Sequence, residues 1–326
     1  MASAPASGSA SPVGRPAFDE SSIVQPRLPW LTSRRKEALF AYLFLSPWII
    51  GFLVFTIGAM IYSLRLSFFD TNLLNRSEYV GLDNYRELLD NPTFWKALRI
   101  TGIYTAVVVP VGTVLALVIA LMLNQKLALS GIWRTVYYLP AVVSGVAVAV
   151  VWNWVLNPSS DGLMNQFLAL FGIGSLRWFS SSDWALPGLI LIALWGTGSN
   201  MLLYLAGLQS IPSDVKEAAR VDGAGPVKAF FSVTLPLLTP TVFFNVVINV
   251  ISAFQVFTTV AVVTEGGPNN ATLTMVYYLY REAFRTFNFG YASAIAWALF
   301  AIIMFFTLIL VRSSNTWVHY EGALRK

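Results

Sequence analysis

The chain has 326 residues, 56% of them hydrophobic and only 11% charged, with a net charge of +5 and a mean hydropathy of +0.64. A soluble domain carries about a quarter charged residues, so this composition excludes an ordinary soluble globular protein and points to the membrane. There is no cysteine and a single histidine, His319, which excludes disulfide and thiol chemistry and makes that histidine a solvated tail residue rather than a metal ligand.

In chain order, residues 1–36 come first. They are rich in Ala, Ser and Pro and lack the basic start and apolar run of a signal peptide, so they read as a disordered tail. The tail closes on the basic cluster Arg34, Arg35, Lys36. Six uncharged runs follow, at 38–64, 100–125, 135–160, 184–213, 229–264 and 286–311. None is shorter than 26 residues and the next longest has 15. A span needs about 20 apolar residues, so the chain is predicted to be an all-α membrane protein with six transmembrane helices, at about 39–64, 101–123, 136–156, 185–208, 237–263 and 291–311.

The first span holds Pro47 near its start and Arg65 just past its end, placed to snorkel. A short surface helix is expected after Asp83. The second span carries Pro110 and the pair Ala116/Ala120, whose spacing lets helices approach closely. The third ends in VWNWVLNP, with tryptophans suited to an aromatic belt. Residues 162–176 are too short to cross and read as a helix lying at the surface. After the fifth span EGGPNNAT is a turn-rich loop, and TLTMVYYLYREAFRTFNFG is an aromatic stretch expected at belt level. Residues 316–326 form a C-terminal tail.

Six spans place both termini on one side. With the N-terminus inside, the inner segments hold 13 of the 21 Lys and Arg residues but only 7 of the 16 Asp and Glu. Lys/Arg bias fixes orientation, so both termini are expected to be cytoplasmic, together with the loop 209–236.

That loop contains EAARVDGAGPVKAFFSVTLP, two short polar helices between spans. Ser213 is the expected N-cap and Asp214 suits the positive end of the helix dipole. Residues 214–222 form the first helix. Gly223 is expected at positive φ, Pro226 opens a second helix, and Pro236 ends it. Ala218 and Ala219 leave room for another surface to come close. Physics alone allows either a docking site or a plain connector with a helical turn.

The pattern Glu217-Ala218-Ala219, Gly223, Leu235-Pro236 resembles the cytoplasmic "EAA" loop of ATP-binding-cassette importer permeases. The longer strings LQSIPSDVKEAARVDGAGPVKAFFSVTLPLLTP and TEGGPNNAT are similar to the carbohydrate, maltose-type branch. The resemblance covers residues 37–315 and implies the type I ABC importer permease fold in a bacterial inner membrane. It implies that Glu217, Ala218, Ala219, Asp222 and Gly223 form a coupling helix docking into an ATPase subunit. The partners implied are a second six-span permease, two ATPase subunits that bind the ATP and Mg, an extracellular or periplasmic solute-binding protein, and a sugar. No cofactor is expected in this chain, no nucleic acid among its partners, and no catalytic or metal site. Six spans without a large outer insertion put substrate delivery on the separate binding protein.

Polar residues inside a membrane mark a path or a helix contact. The fourth span offers Trp195, Thr197, Ser199, Asn200 and Tyr204; the fifth offers Asn245, Asn249, Ser252, Gln255, Thr258 and Thr259. Asn249, Ser252 and Gln255 recur on roughly one helical face. Amides and hydroxyls beside aromatic surface suit a neutral sugar. The resemblance brings Trp195, Gly196, Ser199 and Asn249 to sugar-lining positions, with Ser252, Ala253 and Val256 close by; Ala253 and Val256 stand where the maltose-type permease has asparagines. The expected pathway set is therefore Trp195, Gly196, Ser199, Asn200, Asn249, Ser252 and Gln255.

An ion-coupled secondary transporter would mark its spans with ionisable residues, and the six runs contain no Asp, Glu, Lys, Arg or His. A membrane enzyme would need a carboxylate pair, a metal cluster or a nucleophile–base set, which the spans lack. Glycerol phosphate or a related phosphoester in the same architecture remains the alternative cargo. An anion calls for a cation in the cavity, and only Arg65 or Arg281, at the rim, could supply one.

Overall fold

The computed structural model describes residues 33–72, 77–125 and 129–319, with side chains from Glu37 onward. The N-terminal tail, the side chains of the Arg34–Lys36 cluster and the last residues of the C-terminal tail lie outside that set. The chain divides into two compact units, one ending at Ala59 and one beginning at Met60.

In the first unit α1 (Ser33–Gly51) passes into a π-helical stretch, Phe52–Gly58. Pro47, inside α1, cannot supply the N–H that residue 43 would accept. The Ser46 hydroxyl donates to the Leu43 carbonyl at 2.7 Å instead. Trp48 and Phe52 stack with centroids 5.4 Å apart. Almost every apolar side chain here is exposed, Phe44 by 82% and Phe55 by 80%, a surface that water would not tolerate and lipid does.

The second unit opens with α2 (Ala59–Leu66), all but its first residue. Strand β1 (Phe69–Thr71) pairs antiparallel with β2 (Ser77–Tyr79), Asp70 opposite Glu78. Arg65 lies over the Phe69 ring, 5.3 Å from its centroid. The expected helix at Asp83 is α3 (Asp83–Asp90). Then α4 (Pro92–Leu123) starts with Pro92 in its first turn and Asn91 as cap, its Oδ1 accepting from the Thr93 N–H at 2.9 Å. Both are helix-start signals with a mechanism.

Next come α5 (Ser130–Val142), α6 (Gly145–Val155), α7 (Leu163–Ala169), α8 (Ala185–Trp195) and α9 (Gly198–Ser210). The helical loop is α10 (Ser213–Val221) and α11 (Pro226–Ala229). A π-helical stretch, Phe230–Thr234, leads into α12 (Leu235–Phe254), followed by α13 (Thr258–Val263), α14 (Met275–Phe284) and α15 (Phe289–Trp317).

Among the described residues four helical runs are long and apolar enough to cross a membrane: Glu37–Leu66, Pro92–Leu123, Pro226–Val263 and Phe289–Trp317. The remaining two candidate spans are broken. α5 and α6 meet at 99°, and α8 and α9 at 42°. The uninterrupted helices expected over 136–156 and 185–208 are thus corrected. Ser144 at the first break is extended, with ψ 133°, and Gly196 and Thr197 at the second have ψ near zero, so the α-helical backbone stops at each.

Three local expectations also change. Ser213 is the first helical residue, Pro212 being the N-cap, and its hydroxyl makes no capping bond. Pro236 does not end a helix but sits in the first turn of α12, after a π-helical stretch whose wider turn accommodates a residue that cannot donate. The aromatic stretch at 272–290 is only partly exposed: Phe284 and Phe287 are 58% and 50% exposed, but Tyr277 and Tyr278 are 1% exposed and pack in the core with Tyr291.

Two clusters of buried side chains hold the second unit. One, toward the Pro92 end of α4, gathers Phe94, Leu189, Phe254, Tyr277, Tyr278 and Ile295. The other, toward its Leu123 end, sets Ala116 and Ala120, both 0% exposed, against Met201, Tyr204, Leu205 and Leu238. The close approach expected of the alanine pair is realised there.

Candidate functional site

At the Leu123 end of α4 the helical loop stands out from the bundle. α10 ends in two bonds, Gly223 N–H to the Arg220 carbonyl at 3.0 Å and Ala224 N–H to the Ala219 carbonyl at 2.9 Å. That is a Schellman closure, which needs a left-handed residue after the cap, and Gly223 supplies it with φ 78°. The Lys216 ammonium donates to the Leu208 carbonyl at 3.1 Å, tying α10 to the end of α9. Ala219 is buried while Glu217, Ala218, Asp222 and Gly223 are exposed. Around them Val221, Val227 and Phe231 are 87%, 69% and 62% exposed. A groove of about 700 Å³ beside them is floored by Leu121, Leu208 and Phe230 and rimmed by Asn124, Gln125 and Arg220.

Midway along α4 lies a second cavity, of about 170 Å³. The break between α8 and α9 forms one wall with Gly196, Thr197 and Asn200; α12 forms another with Asn249, Ser252 and Ala253, and Val256 just beyond it. Asn200 Nδ2 donates to Asn249 Oδ1 at 3.0 Å, joining the two walls. Of the expected pathway residues, Gly196, Asn200, Asn249 and Ser252 come together here, and so do Ala253 and Val256. Trp195, Ser199 and Gln255 do not line it; all three are exposed. Trp195 meets Trp152 of α6 edge to face, centroids 5.8 Å apart.

The third wall is α4 itself, through Tyr104, Val108 and Gly112. Their spacing of four residues is the signal that sequence reading passed over. Gly112 matters to the shape, because a Cβ there would meet the Thr197 methyl at 3.3 Å, so its absence lets the break press against α4. Among the described residues no Lys, Arg, Asp or Glu lines the cavity.

At the Pro92 end of α4 the segment 264–274 is held by charges and tyrosines. Lys96 donates to the Asn269 carbonyl at 2.6 Å, Arg281 to Asn270 Oδ1 at 3.0 Å, and Arg285 to Glu265 Oε2 at 2.8 Å. Arg281 and Arg285 also cover the rings of Tyr278 and Tyr277. The hydroxyls of Tyr278 and Tyr291 lie 3.1 Å apart, and Asn91 donates to both. Burial, reinforced by the Tyr291 hydrogen bond, pushes the Tyr278 hydroxyl above its ordinary value, and burial raises Tyr277. Among the described residues no group of three His, Asp or Glu is placed to hold a metal.

Residues 110–319 match the family described as "Binding-protein-dependent transport system inner membrane component". The chain is 44% identical to the probable ABC transporter permease protein YesP of Bacillus subtilis, over 89% of this chain and 95% of the relative. It is 32% identical to the sulfoquinovosyl glycerol transport system permease protein SmoG of Agrobacterium fabrum, over 86% and 92%. Among solved structures, a chain of a bacterial ABC transporter that imports the acidic polysaccharide alginate superimposes with a TM-score of 0.76 and 25% identity, covering 86% of this chain and 97% of that one.

Proposed function

The chain belongs to the family of binding-protein-dependent transport system inner membrane components, and from that premise we propose that it is one permease subunit of an ATP-driven sugar importer, half of a translocation pathway. The observation that carries the reading is the loop at α10–α11. It combines a rigid Schellman closure with exposed apolar side chains at Val221, Val227 and Phe231, a surface made to be covered by another protein. Glu217, Ala218, Ala219, Asp222 and Gly223 dock there against an ATPase subunit, which binds the ATP and Mg. Two such subunits and a second six-span permease complete the transporter. In this reading the chain crosses a bacterial inner membrane six times, with both termini and the loop cytoplasmic.

A solute-binding protein delivers the cargo to the opposite face, over segments 71–99, 157–183 and 265–290. The sugar passes Gly196, Asn200, Asn249 and Ser252. A neutral sugar fits a cavity lined by amides and hydroxyls and no charge. An anionic cargo is the second reading: an acidic sugar is favoured by the alginate transporter's named cargo, and a phosphoester by the sn-glycerol-3-phosphate permease UgpA of Pectobacterium atrosepticum, 34% identical over 75% of this chain.

The test is reconstitution of the chain with its genomic neighbours in liposomes containing ATP. Uptake is compared among neutral sugars, uronates, sulfonated sugars and glycerol phosphate. Uptake that requires both ATP and the binding protein is expected. Transport by this chain alone, driven by an ion gradient, would return it to the secondary transporters.

A further inference from the structure

The cavity owes one wall to α4, an element outside the expected pathway set. Tyr104 is 5% exposed and its hydroxyl makes no hydrogen bond among the described residues. The hydroxyls of Tyr204 and Tyr277 are sealed off by surrounding protein; that of Tyr104 is not, and the side chain lines the cavity. Buried tyrosine hydroxyls ordinarily find a partner, and leaving one without is costly. Phenylalanine would fill the same space without that cost. The hydroxyl instead opens onto the cavity, where it is free to meet water or a solute that enters.

What can meet it follows from the opposite walls. One N–H of Asn200 is spent on Asn249 Oδ1. The Asn200 carbonyl oxygen and the Asn249 amide N–H groups remain for other partners, and Ser252 adds a hydroxyl. Donors and acceptors thus converge from α4, α9 and α12 on about 170 Å³ of space without a charged side chain. A tyrosine hydroxyl both donates and accepts, which matches the hydroxyl of a sugar.

We propose that Tyr104 is a specificity-determining residue of the pathway, its hydroxyl pairing with one hydroxyl of a sugar held against Asn200, Asn249 and Ser252. The assignment rests on the reading of this chain as a sugar-importer permease.

The experiment uses the complete importer in liposomes with ATP inside. Uptake of labelled neutral mono- and disaccharides is measured, each beside its monodeoxy analogues. Tyr104→Phe should lower uptake of the parent sugar about 3- to 10-fold. It should also bring the parent-to-deoxy ratio toward one at a single ring position, a change that loss of packing alone would not produce. If Tyr104→Phe keeps the full ratio at every position while Asn249→Ala loses uptake, the Tyr104 assignment is overturned and the importer reading stands. If the wild-type importer takes up no neutral sugar, the cargo reading falls and takes the assignment with it.

A second arm needs no cargo. The chain has no cysteine, so Tyr104→Cys carries the sole thiol of this subunit. A charged methanethiosulfonate reagent should modify it in the nucleotide-free or the ATP-trapped state. Absence of modification in both would place position 104 off the water path and overturn the proposal.

Discussion

Gly198, the first residue of α9, lies so close to Tyr137 that a Cβ added to it would overlap the Tyr137 carbonyl and backbone. This contact sets how near α5 and α9 come to each other. Gly198→Ala must therefore push backbone against backbone, an overpacking cost of about 1–3 kcal/mol. Less folded complex and a lower melting temperature are expected, read by fluorescence-detected gel filtration. Gly131→Ala, in α5 with nothing within 4 Å of its added Cβ, should leave both unchanged.

The loop gives a separate outcome. Glu217→Lys reverses an exposed charge and Gly223→Val places a branched side chain at φ 78°, a strain of about 1–2 kcal/mol. Both variants should reach the membrane, lose ATPase co-purification and lower uptake. Normal uptake in both would make α10 a connector.

Asn200 and Asn249 hold each other across two helices. Truncating either leaves its partner unpaired. Asn249→Ala is expected to reduce uptake about 3- to 10-fold, whereas Ser199→Ala, exposed and outside the cavity lining, should leave uptake and assembly unchanged. A double-mutant cycle on Asn200 and Asn249 should give a stability coupling of about 0.6 kcal/mol, with 1.7 as the upper range for such pairs. Zero coupling would mean that the hydrogen bond is absent in the assembled transporter.

Alkaline pH probes the tyrosine cluster. The folded Tyr277 and Tyr278 hydroxyls are raised, chiefly by burial, above the unfolded value of about 10. A group whose folded value is raised contributes stability that is present below the unfolded value and lost as pH rises beyond it. Melting temperature should stay flat below about pH 9 and fall above about pH 10, less steeply in Tyr278→Phe. Titration of tyrosine absorbance at the ordinary midpoint for every tyrosine would contradict the buried cluster.

The face at the Pro92 end of α4 carries Asp83, Arg86, Glu87, Arg177, Arg281, Glu282 and Arg285, several already paired with one another. Rim charges act mainly on association rate. Binding-protein-stimulated ATPase activity should accordingly fall as salt rises, while its saturating rate changes little. ATPase activity and uptake that need no binding protein would remove this face from the delivery route.

Sequence carried a good part of this. The small residues at Ala116 and Ala120, the left-handed glycine at 223 and the helix start at Pro226 each have one conformational use, so they could be read directly. The breaks at Ser144 and Gly196–Thr197 could not, because hydropathy measures how much apolar chain there is and not the direction it takes. Tyr277 and Tyr278 were misplaced since a tyrosine suits an interface and a core equally well, and only the packed neighbours decide. Tyr104 went unnoticed for a related reason: one hydroxyl among apolar residues of α4 has no meaning until Asn200 and Asn249 are seen across from it.

The helical run from Pro226 to Val263 has a mechanical consequence. Its near end is the exposed loop, and Asn249 lies 23 residues along, about 35 Å away at 1.5 Å per residue. Between them the run bends at no sharp joint, only through the π-helical stretch 230–234 and past Pro240. Residues 226–229 and the cavity wall at Asn249 thus belong to one continuous run, so a tilt applied at the near end would reach the wall without crossing a sharp joint, and the α-helix stops only beyond it, at Gln255–Phe257.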